Sequence, residues 1–275
     1  MQNLTDYFEG RGTQKLFYQY WGPDSDKIKA IIIAFHGLGT HSDRLKLPAE
    51  YFAEKGYGIY AFDLRGHWRN IIDIPGHIDS MEDIQKDIFL FMDMIKKKNK
   101  DKKVFTIGQS LGGLIALIYA IDHPAIAGVI ASSPLLGIKM NISSAKKIDK
   151  IISGQMKTIE LEIEQNKMTS DVKILRKHIA DKNRLTQITI KSYSEIEDAM
   201  KLALKNAARL ICPVLINQGS EDKFSDIDKT KKFFKNIRSS DKTYKEYNGF
   251  VHELWHEKRR AEVYRDMFVW IGKHL

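Results

Sequence analysis

The residues best suited to do chemistry are the five at 108–112, Gly108-Gln109-Ser110-Leu111-Gly112. They lie between a short apolar run at 104–108 and a longer one at 111–121. That is the strand–turn–helix setting in which a serine is held out on a sharp turn. Small residues at 108 and 112 allow the turn and the close approach of the flanking elements. A serine hydroxyl is a weak nucleophile until an imidazole takes its proton, and the imidazole needs a carboxylate to hold its tautomer. With this kind of elbow the acid and then the histidine follow the serine along the chain. Asp222 closes the run Gly219-Ser220-Glu221-Asp222 after a strand-like PVLIN at 213–217, and His252 closes Asn248-Gly249-Phe250-Val251-His252 after a strand at 243–247. Ser110, Asp222 and His252 are the predicted triad, with Glu221 and Asp226 as alternative acids.

The oxyanion of a tetrahedral intermediate needs backbone donors. One is the amide after the nucleophile, Leu111. The second is expected from the loop after an early central strand, here His36-Gly37-Leu38-Gly39, which gives the Leu38 amide. A competing pattern overlaps the predicted base: His252-Glu253-Leu254-Trp255-His256 spells the H-E-x-x-H of zinc proteases. Asn248-Gly249 just upstream puts His252 in a loop or at a helix start. Only 19 residues follow His256 to supply a third ligand. The sequence reading therefore expects no metal and no organic cofactor, and takes His256 as a surface or capping residue. Asp63, Arg65 and Arg44 are read as a buried structural pair holding loops, since Asp63 ends a strand too early in the chain to be the acid.

These residues need a scaffold, and the hydrophobic pattern supplies one. Runs at 29–35 (KAIIIAF), 57–63 (YGIYAFD), 104–108 and 127–131 read as strands buried on both faces. Helix-like segments alternate with them. The one at 80–97 opens on Ser80-x-x-Asp83 and carries Ile84, Ile88, Phe91 and Ile95 at helical spacing. The alternation predicts an α/β fold, a mostly parallel central sheet with helices on both faces. It breaks at about residue 135 and resumes near 206, with a helix at 227–237 and a last one at 256–274. The predicted domains are a core of 1–134 and 206–275 interrupted by a helical insertion at 135–205.

At 275 residues, 43% hydrophobic and 29% charged, the chain has the composition of a globular protein with a core, which excludes disordered and fibrous classes. The single cysteine, Cys212, excludes an internal disulfide and any multi-cysteine metal site. No signal-peptide pattern or run of the ~20 apolar residues a membrane helix needs is present, so a cytoplasmic location is expected. Of the net charge of +9, +5 falls in 135–205, which has 12 Lys and 2 Arg against 9 Asp and Glu. There, 143–155 reads as a basic amphipathic helix, suited to packing on the core or to peripheral contact with an anionic membrane. The lysine-rich 96–103 reads as a solvated connection. No nucleic-acid module accompanies it.

With these residues in hand, the chain resembles the α/β-hydrolase superfamily, and within it the monoacylglycerol lipase and lysophospholipase group. The likeness rests on HGLGTHSDR (36–44), FDLRGH (62–67), GQSLGG (108–113) and HELWHE (252–257). It implies an α/β-hydrolase fold, hydrolysis of single-chain lipid esters through Ser110, Asp222 and His252, and a cap over the acyl site formed by 135–205. Carboxylesterase, thioesterase or acyltransferase chemistry and a non-catalytic hydrolase-like binding protein are the alternatives. The chain departs from the group at Trp68 (usually glycine), Asn70 (usually serine), Gln109 (commonly histidine) and Thr40 (often glutamate).

Overall fold

Each predicted central strand alternates side chains between two apolar layers. In β3 (Ile31–Phe35), Ile31, Ile33 and Phe35 enter one layer, and Ile32 and Ala34 the other. In β4 (Gly58–Phe62), Tyr60 and Phe62 face the first layer and Ile59 and Ala61 the second. A strand buried on both faces cannot alternate polar with apolar residues, hence the continuous β-branched runs. The computed structural model describes all residues except 25–26, 139–156, 162–163 and 165–166. The amphipathic stretch expected at 143–155 lies outside the described residues.

Eight strands form one sheet in the order β1-β2-β4-β3-β5-β6-β9-β10. From β4 to β10 (Lys242–Tyr247) neighbours run parallel, through β5 (Val104–Gln109), β6 (Gly128–Ser132) and β9 (Val214–Gly219). The predicted α/β architecture is thus present. The sheet also has an antiparallel edge that the hydrophobic pattern does not announce. β1 (Gln2–Glu9) pairs along its length with β2 (Lys15–Gly22), which pairs antiparallel with β4. β1 is exposed except at Phe8, so it has no apolar face to give it away. Phe8 anchors it, its ring centroid 5.3 Å from Phe62 and 4.6 Å from Phe91.

Helices α2 (Met81–Lys98) and α3 (Leu111–Asp122) cover one face; α1 (Lys46–Ala53) and the last helix, α7 (Arg260–Lys273), cover the other. Ser80 caps α2 as the sequence predicts, accepting the Asp83 N–H at 3.0 Å, and Ile84, Ile88, Phe91 and Ile95 are buried. In the 135–205 region, β7 (Thr158–Glu160) and β8 (Gln187–Thr189) make a two-stranded antiparallel ribbon not foreseen from sequence. Two helices flank β8, α4 (Val172–Ala180) before it and α5 (Ile190–Asn206) after it. α5 sends Ile196, Ala199, Met200 and Ala203 into the core layer shared with α3. The remaining helix, α6 (Ile227–Asn236), lies between β9 and β10. No helix among the described residues is long and apolar enough to cross a membrane.

Two glycines fix the approach of α3 to the sheet. A Cβ on Gly112 would lie 2.2 Å from the Phe35 carbonyl oxygen and 2.7 Å from that of His36, and one on Gly108 would lie 2.1 Å from the Gly112 oxygen. These are backbone obstructions that no rotamer change relieves. Gly112→Ala is expected to cost about 3 kcal/mol or more. Gly272→Ala, on a helical position with open space around it, is expected to be neutral or to stabilise by up to ~1 kcal/mol. Urea denaturation of both variants checks the contrast.

Candidate active site

The loops that follow the parallel strands meet above the centre of the sheet, where open α/β sheets place their sites. β5 ends at Gln109 and α3 begins at Leu111, which leaves Ser110 alone at the turn with φ 58° and ψ −121°. Few residues other than glycine adopt this conformation. It is held by backbone bonds from Ser110 N–H to Ser132 O and from the Leu114 and Leu135 N–H groups to Ser110 O, each 3.0 Å.

The loop after β3 packs directly against this turn: a Cβ on Gly37 would stand 3.5 Å from the Ser110 Cβ. Neither the Leu38 nor the Leu111 N–H meets an acceptor among the described residues. Two buried histidines shape the loop. His36 Nε2 accepts the Leu64 N–H at 2.9 Å while its Nδ1–H donates to Gly37 O at 2.9 Å. His67 Nε2 accepts the Gly39 N–H at 3.3 Å and its Nδ1–H donates to Arg65 O at 2.9 Å. Each ring accepts with one nitrogen and donates with the other, so each must be neutral. Burial first, then neighbouring histidines, hold both below the ordinary 6.5, His36 well below it. Thr40 closes the turn by donating its hydroxyl to Gly37 O at 2.9 Å.

On the far side, β9 ends at Gly219 and Asp222 follows in a tight loop. Its Oδ1 accepts the N–H groups of Phe224 (2.9 Å) and Ser225 (3.0 Å). Its Oδ2 accepts from Gln218 Nε2 (2.9 Å), from the Ser225 hydroxyl and from His252 Nδ1 (2.9 Å). Burial favours the neutral acid, but the His252 charge and these hydrogen bonds outweigh it and hold the Asp222 carboxyl well below the carboxylate range. In His252 burial opposes the charge, yet Asp222 prevails and raises its pKa above 6.5. His252 and Ser110 line one cavity, together with Leu38, Met168, Leu185 and Phe224. Of the alternative acids, Asp226 caps α6 and Glu221 is exposed; neither bonds His252.

Gln218, Ser225 and Glu257 complete this machinery, and the sequence reading gives none of them a role. Gln218 and Asn217 are adjacent buried polar residues closing an apolar strand, which is a legible signal. Glu257 accepts the Val251 N–H at 3.1 Å and the Ser170 N–H and hydroxyl, tying the His252 loop to 168–171. The pairing expected among Asp63, Arg65 and Arg44 is replaced by another set. Asp63 accepts the Ser42 N–H at 2.7 Å and pairs with Arg69, while Arg65 pairs with Asp87 and Arg44 with Asp181. All are structural, but Arg69 was not foreseen. Trp68 takes a φ of 35°, in a region where glycine is at ease, with Arg69 stacked on its ring. His256 is buried, with 5% exposure, and its Nε2–H donates to Arg44 O at 2.9 Å, which corrects its reading as a surface or capping residue.

The family model described as serine aminopeptidase, S33 (Hydrolase_4) matches residues 26–259. The chain belongs to this family. It is an α/β-hydrolase of the monoacylglycerol lipase and lysophospholipase type, and a serine hydrolase. Phospholipase YtpA of Bacillus subtilis is 26% identical over 89% of this chain and 96% of its own. Monoglyceride lipase of Mus musculus is 27% identical over 95% and 88%. The crystal structure of Paleococcus ferrophilus monoacylglycerol lipase superposes with a TM-score of 0.83 at 27% identity, over 95% of this chain and all of that one.

The neutral histidines behind the Hydrolase_4 site set a pH limit. Unfolded, each takes a proton near pH 6.5; folded, each resists it, so stability is lost as pH falls below 6.5. His252, whose pKa is raised, contributes in the opposite sense. Thermal unfolding is expected to move to lower temperature between pH 7.5 and 5, and less steeply in His67→Gln, which keeps an acceptor. An equal slope in the variant would rule the cause out.

Proposed function

We propose that this hydrolase cleaves single-chain lipid esters, of the monoacylglycerol or lysophospholipid class, with Ser110 as nucleophile, His252 as base and Asp222 as its orienting acid. The observation that carries the reading is the buried His252 Nδ1–Asp222 Oδ2 bond beside a serine held on a strained turn. Ser110 Oγ attacks the ester carbonyl as its proton passes to His252 Nε2, and the oxyanion is held by the Leu38 and Leu111 amides. The imidazolium then protonates the leaving alcohol and an acyl-serine forms. Water deprotonated by His252 releases the fatty acid and restores the serine. Asp222 keeps the Nδ1–H tautomer and stabilises the imidazolium without itself taking the proton.

The described part of 135–205 forms the cap in this reading. Met168 and Leu185 supply apolar walls to the cavity, as an acyl chain requires. The basic character of the cap suits peripheral contact with an anionic membrane that presents the substrate. The names of the curated relatives, a phospholipase and a monoglyceride lipase, point to the same substrate class.

Hydrolysis of p-nitrophenyl esters from acetyl to palmitoyl is expected to peak at medium or long chains, and Ser110→Ala to lose at least about a thousandfold. A peak at acetyl would remove the lipid reading. Faster cleavage of aminoacyl p-nitroanilides than of any ester would move the protein to the peptidases for which the family model is named. The acid limb of kcat/KM is expected above pH 6.5, because the base must be neutral and Asp222 raises its pKa. In Asp222→Asn the limb moves to lower pH, since the Asp222 charge no longer opposes burial, while the plateau falls by about 10⁴. A limb that stays in place would mean that Asp222 does not set the base.

A further inference from the structure

The H-E-x-x-H run is shared between two sites. His252 Nδ1 is taken by Asp222. Glu253 turns the other way, toward His256 and toward His178 on α4, a residue 75 positions earlier in the chain. Glu253 Oε2 lies 3.2 Å from His178 Nδ1 and 3.0 Å from His256 Nδ1, and the three atoms fall within 4.8 Å of one another. The residues are 4%, 9% and 5% exposed in the order His178, Glu253, His256. Among the described residues, none of these three atoms has a hydrogen-bond partner.

We propose that His178, Glu253 and His256 bind a divalent transition-metal ion, with zinc the best match to the donors, and that the ion staples α4 to the loop carrying His252. The tautomer of His256 is the strongest argument. Its Nε2–H is committed to the Arg44 carbonyl at 2.9 Å, so the neutral ring aims its Nδ1 lone pair at a carboxylate oxygen. Two lone pairs facing each other in a buried site need a positive centre between them; a proton answers one such pair, whereas a metal ion answers all three atoms at once, including His178 Nδ1 at 3.2 Å from the same oxygen. A backbone carbonyl on the remote nitrogen is also how metal-binding histidines are oriented.

Spacing and chemistry agree. Ligands on a tetrahedral zinc with bonds of about 2.0–2.2 Å stand roughly 3.4 Å apart, and the two measured separations are within a few tenths of that. Two imidazoles and one carboxylate are a common zinc donor set that leaves a fourth position for water. The rings of His178 and His256 stand perpendicular, 89° apart, and so approach one point from different directions. A groove lined by His41, Lys177, His178, Asp181 and His256 borders the cluster on the solvent side. Arg44, a cation close enough to act on Glu253, is itself paired with Asp181 at 3.1 Å.

The test uses the full chain, stripped with chelator, dialysed and titrated with zinc chloride by calorimetry and thermal shift. Binding of one ion per chain, micromolar or tighter, is expected, with Tm rising by about 5 °C at a hundredfold excess over Kd. His178→Gln, Glu253→Gln and His256→Gln should each weaken binding by at least about tenfold, with circular dichroism confirming the fold. Cobalt(II) should give a visible absorption band in the wild type that is lost in His178→Gln. His252→Ala should bind as the wild type does. The proposal is overturned if the wild type binds no zinc, or if binding survives unchanged in folded His178→Gln and Glu253→Gln. Dependence on His252 would equally overturn it, in favour of a zinc-protease pairing of the two motif histidines.

Discussion

The fold turns on one contact: the backbone of Gly112, in the first turn of α3, rests against the carbonyl of Phe35 at the end of β3. That contact brings the turn at Ser110 and the 36–39 loop together, so that a Cβ on Gly37 would already stand 3.5 Å from that of Ser110. The left-handed backbone of Ser110 is the local cost. Bonds from Ser132, Leu114 and Leu135 hold it, and strain of this kind survives only where the surroundings leave the chain no alternative.

Around that contact, the buried histidines of the 36–39 loop and the Asp222 carboxylate are answered by directed bonds. Two neutral imidazoles carry the 36–39 loop, and five donors surround the Asp222 carboxylate. Buried groups matched one to one are rigid, because leaving any of them unpaired would cost more than the bond itself contributes. The loops of the site therefore sit on a frame of directed bonds as well as on apolar packing. The His178–Glu253–His256 cluster stands apart because three unanswered atoms converge on one point among the described residues.

The central strands were legible because burial on both faces demands uninterrupted apolar residues, and their loops carried Ser110, Asp222 and His252 in a fixed order. β1 was not, since an exposed edge strand needs only a partner, and pairing leaves little trace in composition; β2 is mostly buried, but polar Gln19 and its dense aromatics break the aliphatic run that marks the central strands. α1 escaped for a similar reason: it is short and its apolar residues follow a turn. The exchange of partners among Asp63, Arg65, Arg44 and Arg69 shows what motif reading lacks. It names charged residues that belong to loops, but which cation meets which anion depends on distances between loops. His178 is the extreme case, since nothing near it in sequence ties it to Glu253.

Residues 168–171 are fastened to the His252 loop and its continuation at every position: Met168 O receives the Glu253 N–H, the Thr169 hydroxyl donates to His256 O, Ser170 meets Glu257, and Asp171 pairs with Arg260. This junction makes the region after the sheet and the end of the chain one mechanical unit. An evolutionary or engineered exchange of the inserted region would have to bring its own match for Glu257 and Arg260, or lose the placement of His252. Within 135–205, replacement is thereby freest in the stretches that make no bond to the His252 loop.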